Sequence, residues 1–169
     1  MRLDRTGTKA ITAIDIATFL QENGRPQYSA KDCEPVITYF DVDEDRCLSY
    51  QEFMQMILPC DNLVLRADAA QRQTGRFDPR GGRLGSPLEV ALVDFFEREI
   101  NLHLKLETMK LHLMSRHDWN TQVAFQMCDC HSEGTLSHKS LQTFLKLNGH
   151  FASDEEIIAI VRRLDADAS

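Results

Sequence analysis

Apolar residues recur along the chain at helical spacing, in blocks separated by polar stretches. Val36, Ile37, Tyr39 and Phe40 form one stripe, and Phe53, Met54 and Ile57 form another after the polar run Asp41–Ser49. That pattern predicts a helix, a polar loop and a second helix. Asp32 is expected to cap the first helix, which would leave Pro35 in the tolerated first turn. A much longer block begins at SPLE, Ser86–Glu89, where an N-cap Ser, a Pro and a Glu three residues on make a capping box. The helical pattern then persists to about Met114, a span of ~42 Å at 1.5 Å per residue.

Within that long helix Leu88, Leu92, Phe95, Leu102, Leu106, Met109 and Leu113 keep a 4-3 alternation broken only at Glu99. Val93, Phe96, Ile100 and Leu104 widen the stripe. This is the candidate partner-helix face. It suits an ordinary packing face across the flanking lobes, a docking rod for another helix, or a helix gripped internally as a target helix would be. Before it, residues 61–86 contain Gly75, Pro79, Gly81, Gly82 and Gly85, so part of the segment is expected to be loop. LVLRADAAQR, Leu63–Arg72, suits a short helix ahead of that loop.

The polar run DVDEDRCLSYQEF, Asp41–Phe53, carries chemistry. A hard divalent cation takes six to eight oxygens around a tightly curled loop, and a twelve-residue loop supplies them from positions 1, 3, 5, 7, 9 and 12. Counting from Asp41 places Asp41, Asp43 and Asp45 at 1, 3 and 5, and the Cys47 carbonyl at 7. Ser49, through water, falls at 9, and the longer Glu52 at 12. With Leu48 at position 8 and a helical stripe on either side, the stretch resembles the EF-hand family. The resemblance implies a Ca2+ site at these residues and an all-α fold of paired hands. It departs from the family at position 6, where Arg46 replaces the Gly that accepts a positive φ. A side chain there costs ~1–2 kcal/mol, a weakening of roughly 5–30-fold.

FLQENG at Phe19–Gly24 and FLKLNG at Phe144–Gly149 agree at four of six positions, offset by 125 residues. The same offset lays Asp4 on Asp129 and Ile11 on Leu136, which marks two further loops of the same kind, Asp4–Asp15 and Asp129–Ser140. Loop starts Asp4 and Asp41 lie 37 apart, and Asp129 and Asp165 lie 36 apart. That separation resembles the paired lobes of calmodulin-like proteins. The first of these loops offers Asp4, Thr6, Thr8 and Thr12 and closes on Asp15, one methylene short of Glu, so a weak or empty site is expected. The second has Asp129, His131 and Glu133 but ends at Ser140, and no Ca2+ binding is expected. A fourth loop begins at Asp165 and Asp167.

The expected organisation is therefore an EF-hand pair over residues 1–60, its first hand lacking an entering helix, and a linker over 61–86. A long amphipathic helix over 87–117 and a second pair over 118–169 with a truncated last loop follow. Leu48 and Ile11 should form a miniature two-stranded bridge in the first lobe. The headless first hand and the cut last loop are expected of a fragment of a longer repetitive chain. Alternatively, the tail helix of one unit completes the first hand of the next, which makes neighbouring repeats of the same chain a partner class.

Composition narrows the function. With 169 residues, 43% hydrophobic and 27% charged, the chain reads as a soluble globular protein. No apolar run reaches the ~18 residues of a membrane span. Five cysteines without disulfide spacing favour a reducing, cytoplasmic compartment. The net charge of −7 disfavours nucleic-acid binding, which needs a basic face. Only residues 61–86, with 5 Arg against 3 Asp, are locally basic.

Cys128, Cys130, His131 and His138 could be counted as zinc ligands, but their spacing is not the usual one and the loop already explains them. No nucleophile–base arrangement or phosphate-cradling loop stands out, so no enzymatic activity is expected. The degenerate hands, the long helix, the repeat-like ends and the LPCDNLVLR segment, Leu58–Arg66, resemble the repetitive EF-hand proteins of ciliary axonemes. That resemblance implies a structural or adaptor role at the cytoskeleton, with tubulin or other axonemal proteins as partners of the Arg-bearing segment. The alternatives are a calmodulin-like sensor that captures a target helix, or the regulatory segment of a larger enzyme.

Overall fold

The computed structural model describes residues 3–5, 7–59, 62–72 and 86–164. All of its regular elements among these are helices: α1 (Ala13–Glu22), α2 (Ala30–Phe40), α3 (Tyr50–Ile57), α4 (Leu63–Gln71), α5 (Ser86–Met114), α6 (Thr121–Cys128), α7 (His138–Leu147) and α8 (Asp154–Leu164). The protein is all-α. Among the described residues no helix is long and apolar enough to cross a membrane. The chain divides into two compact units, Met1–Lys110 and Leu111–Ser169, with the boundary inside α5.

Side-chain caps set where the helices begin. Thr12 opens α1, accepting the Asp15 N–H at 3.2 Å while Asp15 accepts the Thr12 N–H at 2.9 Å. The start of α2 differs from the sequence expectation. Ser29, not Asp32, is the N-cap residue, and Asp32 sits three residues in, accepting the Ser29 N–H at 2.8 Å. Pro35 therefore lies in the second turn. Its ring nitrogen cannot donate to the Lys31 carbonyl, yet the helix continues because Cys33, Val36 and Ile37 on its inner face are all buried.

The core of the first unit joins α1, α2, α3 and α5. Ile16, Phe19 and Leu20 of α1 meet Cys33, Val36 and Ile37 of α2, with Leu48 and Met56 beside them and Val93, Phe96 and Ile100 from α5. Ile11 and Leu48 form an antiparallel bridge, exchanging hydrogen bonds of 2.9 and 2.8 Å. Of the companion stripe, Val93, Phe96 and Ile100 are buried, whereas Leu104 is exposed and His103 beside it is buried instead. Of the 4-3 stripe, Leu92 and Phe95 pack half-buried against the core, and Leu106 is also half-buried. Leu88, Leu102, Met109 and Leu113 are exposed. Burying side chains such as Phe96 and Ile100 stabilises by about 1.5–3 kcal/mol each, so α5 is part of this unit's core.

In the second unit, α6, α7 and α8 surround a much smaller interior. Ile157, Ser140 and Asp129 are buried, whereas Val123, Phe125, Met127, Leu147 and Phe151 stand exposed.

Candidate metal centre

The three twelve-residue loops share one backbone design. The first-position carboxylate accepts the N–H groups of positions 5 and 6. Asp4 takes Thr8 and Lys9 at 3.2 and 2.9 Å, Asp41 takes Asp45 and Arg46 at 3.2 and 2.7 Å, and Asp129 takes Glu133 and Gly134 at 2.9 and 2.8 Å. Positions 4 and 6 carry positive φ in every loop: Gly7 and Lys9, Glu44 and Arg46, Ser132 and Gly134. At Arg46 the angle is +66°, so the residue expected to be strained there is in the left-handed region. A Ser or Thr at position 9 then caps the following helix in each case, through Thr12, Ser49 and Ser137.

What the loops offer a cation differs. Asp41, Asp43 and Asp45 each bring a carboxylate oxygen into one cluster, all within 4.8 Å of one another. This is the one such grouping of His, Cys, Asp or Glu among the described residues. Within it Asp43 accepts the Asp45 N–H at 3.3 Å and Asp45 accepts the Cys47 N–H at 2.8 Å. That N–H bond from Asp45 pulls the Asp43 pKa down, but burial and the charges of Asp45 and Glu52 outweigh it and hold the carboxyl above its ordinary value. Crowded carboxylates of this kind are relieved by a cation, and hard oxygen donors suit a hard divalent one.

Glu52 is not drawn into the cluster. Its oxygens accept the Val42 N–H at 2.7 Å and the Ser49 N–H at 2.8 Å, tying the loop's start to the N-terminus of α3. Burial acts to raise its pKa, but hydrogen bonds from Ser49, Val42 and Asp43 prevail and hold it below the ordinary value. The Ser49 hydroxyl accepts the Glu52 N–H at 3.3 Å.

The other two loops gather no such cluster. In the first, Asp15 accepts from both the N–H and the hydroxyl of Thr12, while Thr8 donates to the Ala10 carbonyl; Thr6 lies outside the described residues. In the third, Ser140 is fully buried and donates to the Ser137 carbonyl at 2.9 Å. Glu133 accepts from Ser137 at 3.1 Å, and His131 is exposed. Asp165 and Asp167 fall outside the described residues.

Sequence reasoning missed a polar clamp that binds α5 to the α1–α2 connection. Arg25 reaches Glu97 at 2.8 Å and Asp94 at 3.7 Å. Tyr28 donates to Glu97 at 3.0 Å and accepts from Asn101 at 3.0 Å. The Arg25 hydrogen bond, followed by that from Tyr28, lowers the Glu97 pKa. Phe19 and Phe96 meet edge to face at 6.1 Å, and Tyr39 and His103 do so at 4.9 Å. The one local sign of the clamp is that Glu97 and Asn101 each follow a core residue, Phe96 and Ile100, on α5. Compared with known proteins, the chain matches no family model and no curated sequence.

Proposed function

We propose that this chain is a non-enzymatic, Ca2+-binding structural protein of the EF-hand kind, with one competent site at Asp41–Glu52. The observation that carries the reading is the convergence of Asp41, Asp43 and Asp45 on a loop curled by positive φ at Glu44 and Arg46. Glu52 completes the ligand set by exchanging its hydrogen bonds to Val42 and Ser49 for the ion. The Cys47 carbonyl and a water on Ser49 fill the remaining positions. The loops at Asp4 and Asp129 serve packing.

A scaffold is favoured over a sensor because α5 already packs against the face of α1 and α2 that an external helix would need. Calorimetric Ca2+ titration tests the site: about one equivalent binds to the chain and none to Glu52→Gln. Two or more tight sites would contradict it.

The cytoskeletal part of the reading is supported by the resemblance of the repeats to ciliary axonemal proteins and by the Arg-bearing residues 61–86. Tubulin's acidic surface is the proposed partner. The chain should then pellet with microtubules, less so as salt is raised, and a chain left wholly in the supernatant at low salt would remove that part alone.

A further inference from the structure

The end of α6 brings two thiols together. The helix closes at Cys128, and Asp129 then takes φ −78° and ψ +64°, with the Cys130 N–H donating to the Cys128 carbonyl at 3.0 Å. Those angles and that hydrogen bond make an inverse γ-turn centred on Asp129. At such angles, with the fixed spacing of trans peptides, the Cα atoms of Cys128 and Cys130 lie about 5.5 Å apart, the usual separation across a disulfide. An extended chain would hold them roughly 7 Å apart, at the outer limit.

Asp129 is held in this turn from both sides. Its N–H donates to the Phe125 carbonyl at 2.8 Å, and its carboxylate accepts the Glu133 and Gly134 N–H groups at 2.9 and 2.8 Å. The Cys130 thiol reaches back over the last turn of α6 and donates to the Met127 carbonyl at 3.4 Å. Of the four cysteines described, Cys130 alone is exposed. Burial, and then Cys130 nearby, push the Cys128 thiol up. Cys33 is fully buried with its thiol pushed up to about 12, and burial followed by the charges of Asp45 and Asp41 raises that of Cys47. An oxidant in solution therefore meets Cys130 first, and Cys128 is placed to resolve it. Among the described residues His131 and His138 do not join the pair in a metal-holding group.

We propose that Cys128 and Cys130 are a modification site for small-molecule disulfides of the glutathione class, closing reversibly into a disulfide ring around Asp129 that locks the α6–α7 loop. The Cys130 thiolate attacks one sulfur of the oxidant, breaking its S–S bond and releasing one thiolate as a mixed disulfide forms. The Cys128 thiolate then attacks the Cys130 sulfur and expels the second. Both protein thiols are oxidised, the external disulfide is reduced to a pair of thiols, and the protein's thiol protons end on the leaving thiolates. So small a ring is strained and readily reduced again, which makes it a switch rather than a permanent staple. It forms with or without Ca2+ at Asp41.

The test equilibrates the full chain in EDTA with reduced and oxidised glutathione, traps free thiols with an alkylating reagent and digests with trypsin. Residues 117–139 leave as one peptide whose only cysteines are Cys128 and Cys130. The ring is read by mass as loss of a pair of hydrogens with neither thiol alkylated. Its closure constant should be at least about tenfold larger in the folded chain than in guanidinium, because the turn holds the thiols in place beforehand. Cys128→Ser should stop at the mixed disulfide on Cys130, and Cys130→Ser should leave Cys128 reduced. Amide exchange at Glu133 and Gly134 should slow on closure. Closure no better in the folded chain than in guanidinium, a mixed disulfide persisting on Cys130 in the unsubstituted chain, pairing of either thiol with another cysteine, or unchanged amide exchange would overturn the proposal.

Discussion

Arg46 and Glu52 show how single residues set the strength of the proposed site. Arg46 holds φ at +66° with a full side chain, where Gly134 in the third loop holds +76° without one. If the left-handed turn costs the metal-bound loop ~1–2 kcal/mol, Arg46→Gly should tighten Ca2+ binding by roughly 5–30-fold. Calorimetry on the pair would read it, and an unchanged or weaker affinity would mean that the turn is not what limits binding. At this scale the sequence was highly legible. The spacing of Asp41, Asp43 and Asp45 follows from the reach of side chains around one tight loop, which is local information. Glu52 was less so, because its position as the third residue of α3 makes it a capping group as much as a ligand.

Among the elements, α5 is the one whose place in the fold departs most from what its sequence pattern conveys. Its extent, Ser86–Met114, was readable from a capping box and a continuous apolar pattern. Its buried face was not. Two apolar stripes run side by side on it, and periodicity cannot say which one faces the core. Arg25 and Tyr28, some seventy residues away in sequence, select the Phe96–Ile100 stripe by gripping Glu97 and Asn101 beside it. The start of α2 was misplaced for a related reason: Pro35 usually marks a first turn, but Ser29 with Asp32 forms the stronger start. Phe96→Ala should therefore destabilise the first unit by about 3–5 kcal/mol in urea unfolding. Ca2+ should barely change apolar dye fluorescence in the unmutated chain, whereas the variant, its groove part-emptied, should bind dye with or without the ion. A large Ca2+-induced dye signal in the unmutated chain would make it a sensor.

For the whole molecule, two units built on one repeated helix pair divide the work. In the first, a carboxylate cluster sits beside a core completed by the chain's own long helix. The second keeps the loop backbone but gathers no such carboxylate cluster among the described residues. The repetition of FLQENG as FLKLNG made the duplication legible, whereas the packing of α5 onto the first copy depends on contacts that no local pattern records. The central claim is that the chain gathers one hard ion in the first unit. An anomalous-scattering map from crystals grown with Ca2+ tests it most directly. The account predicts a single strong peak among Asp41, Asp43 and Asp45, with Glu52 turned toward it and none at Asp4 or Asp129. A vacant cluster at saturating Ca2+, or a stronger peak in either of the other loops, would contradict it.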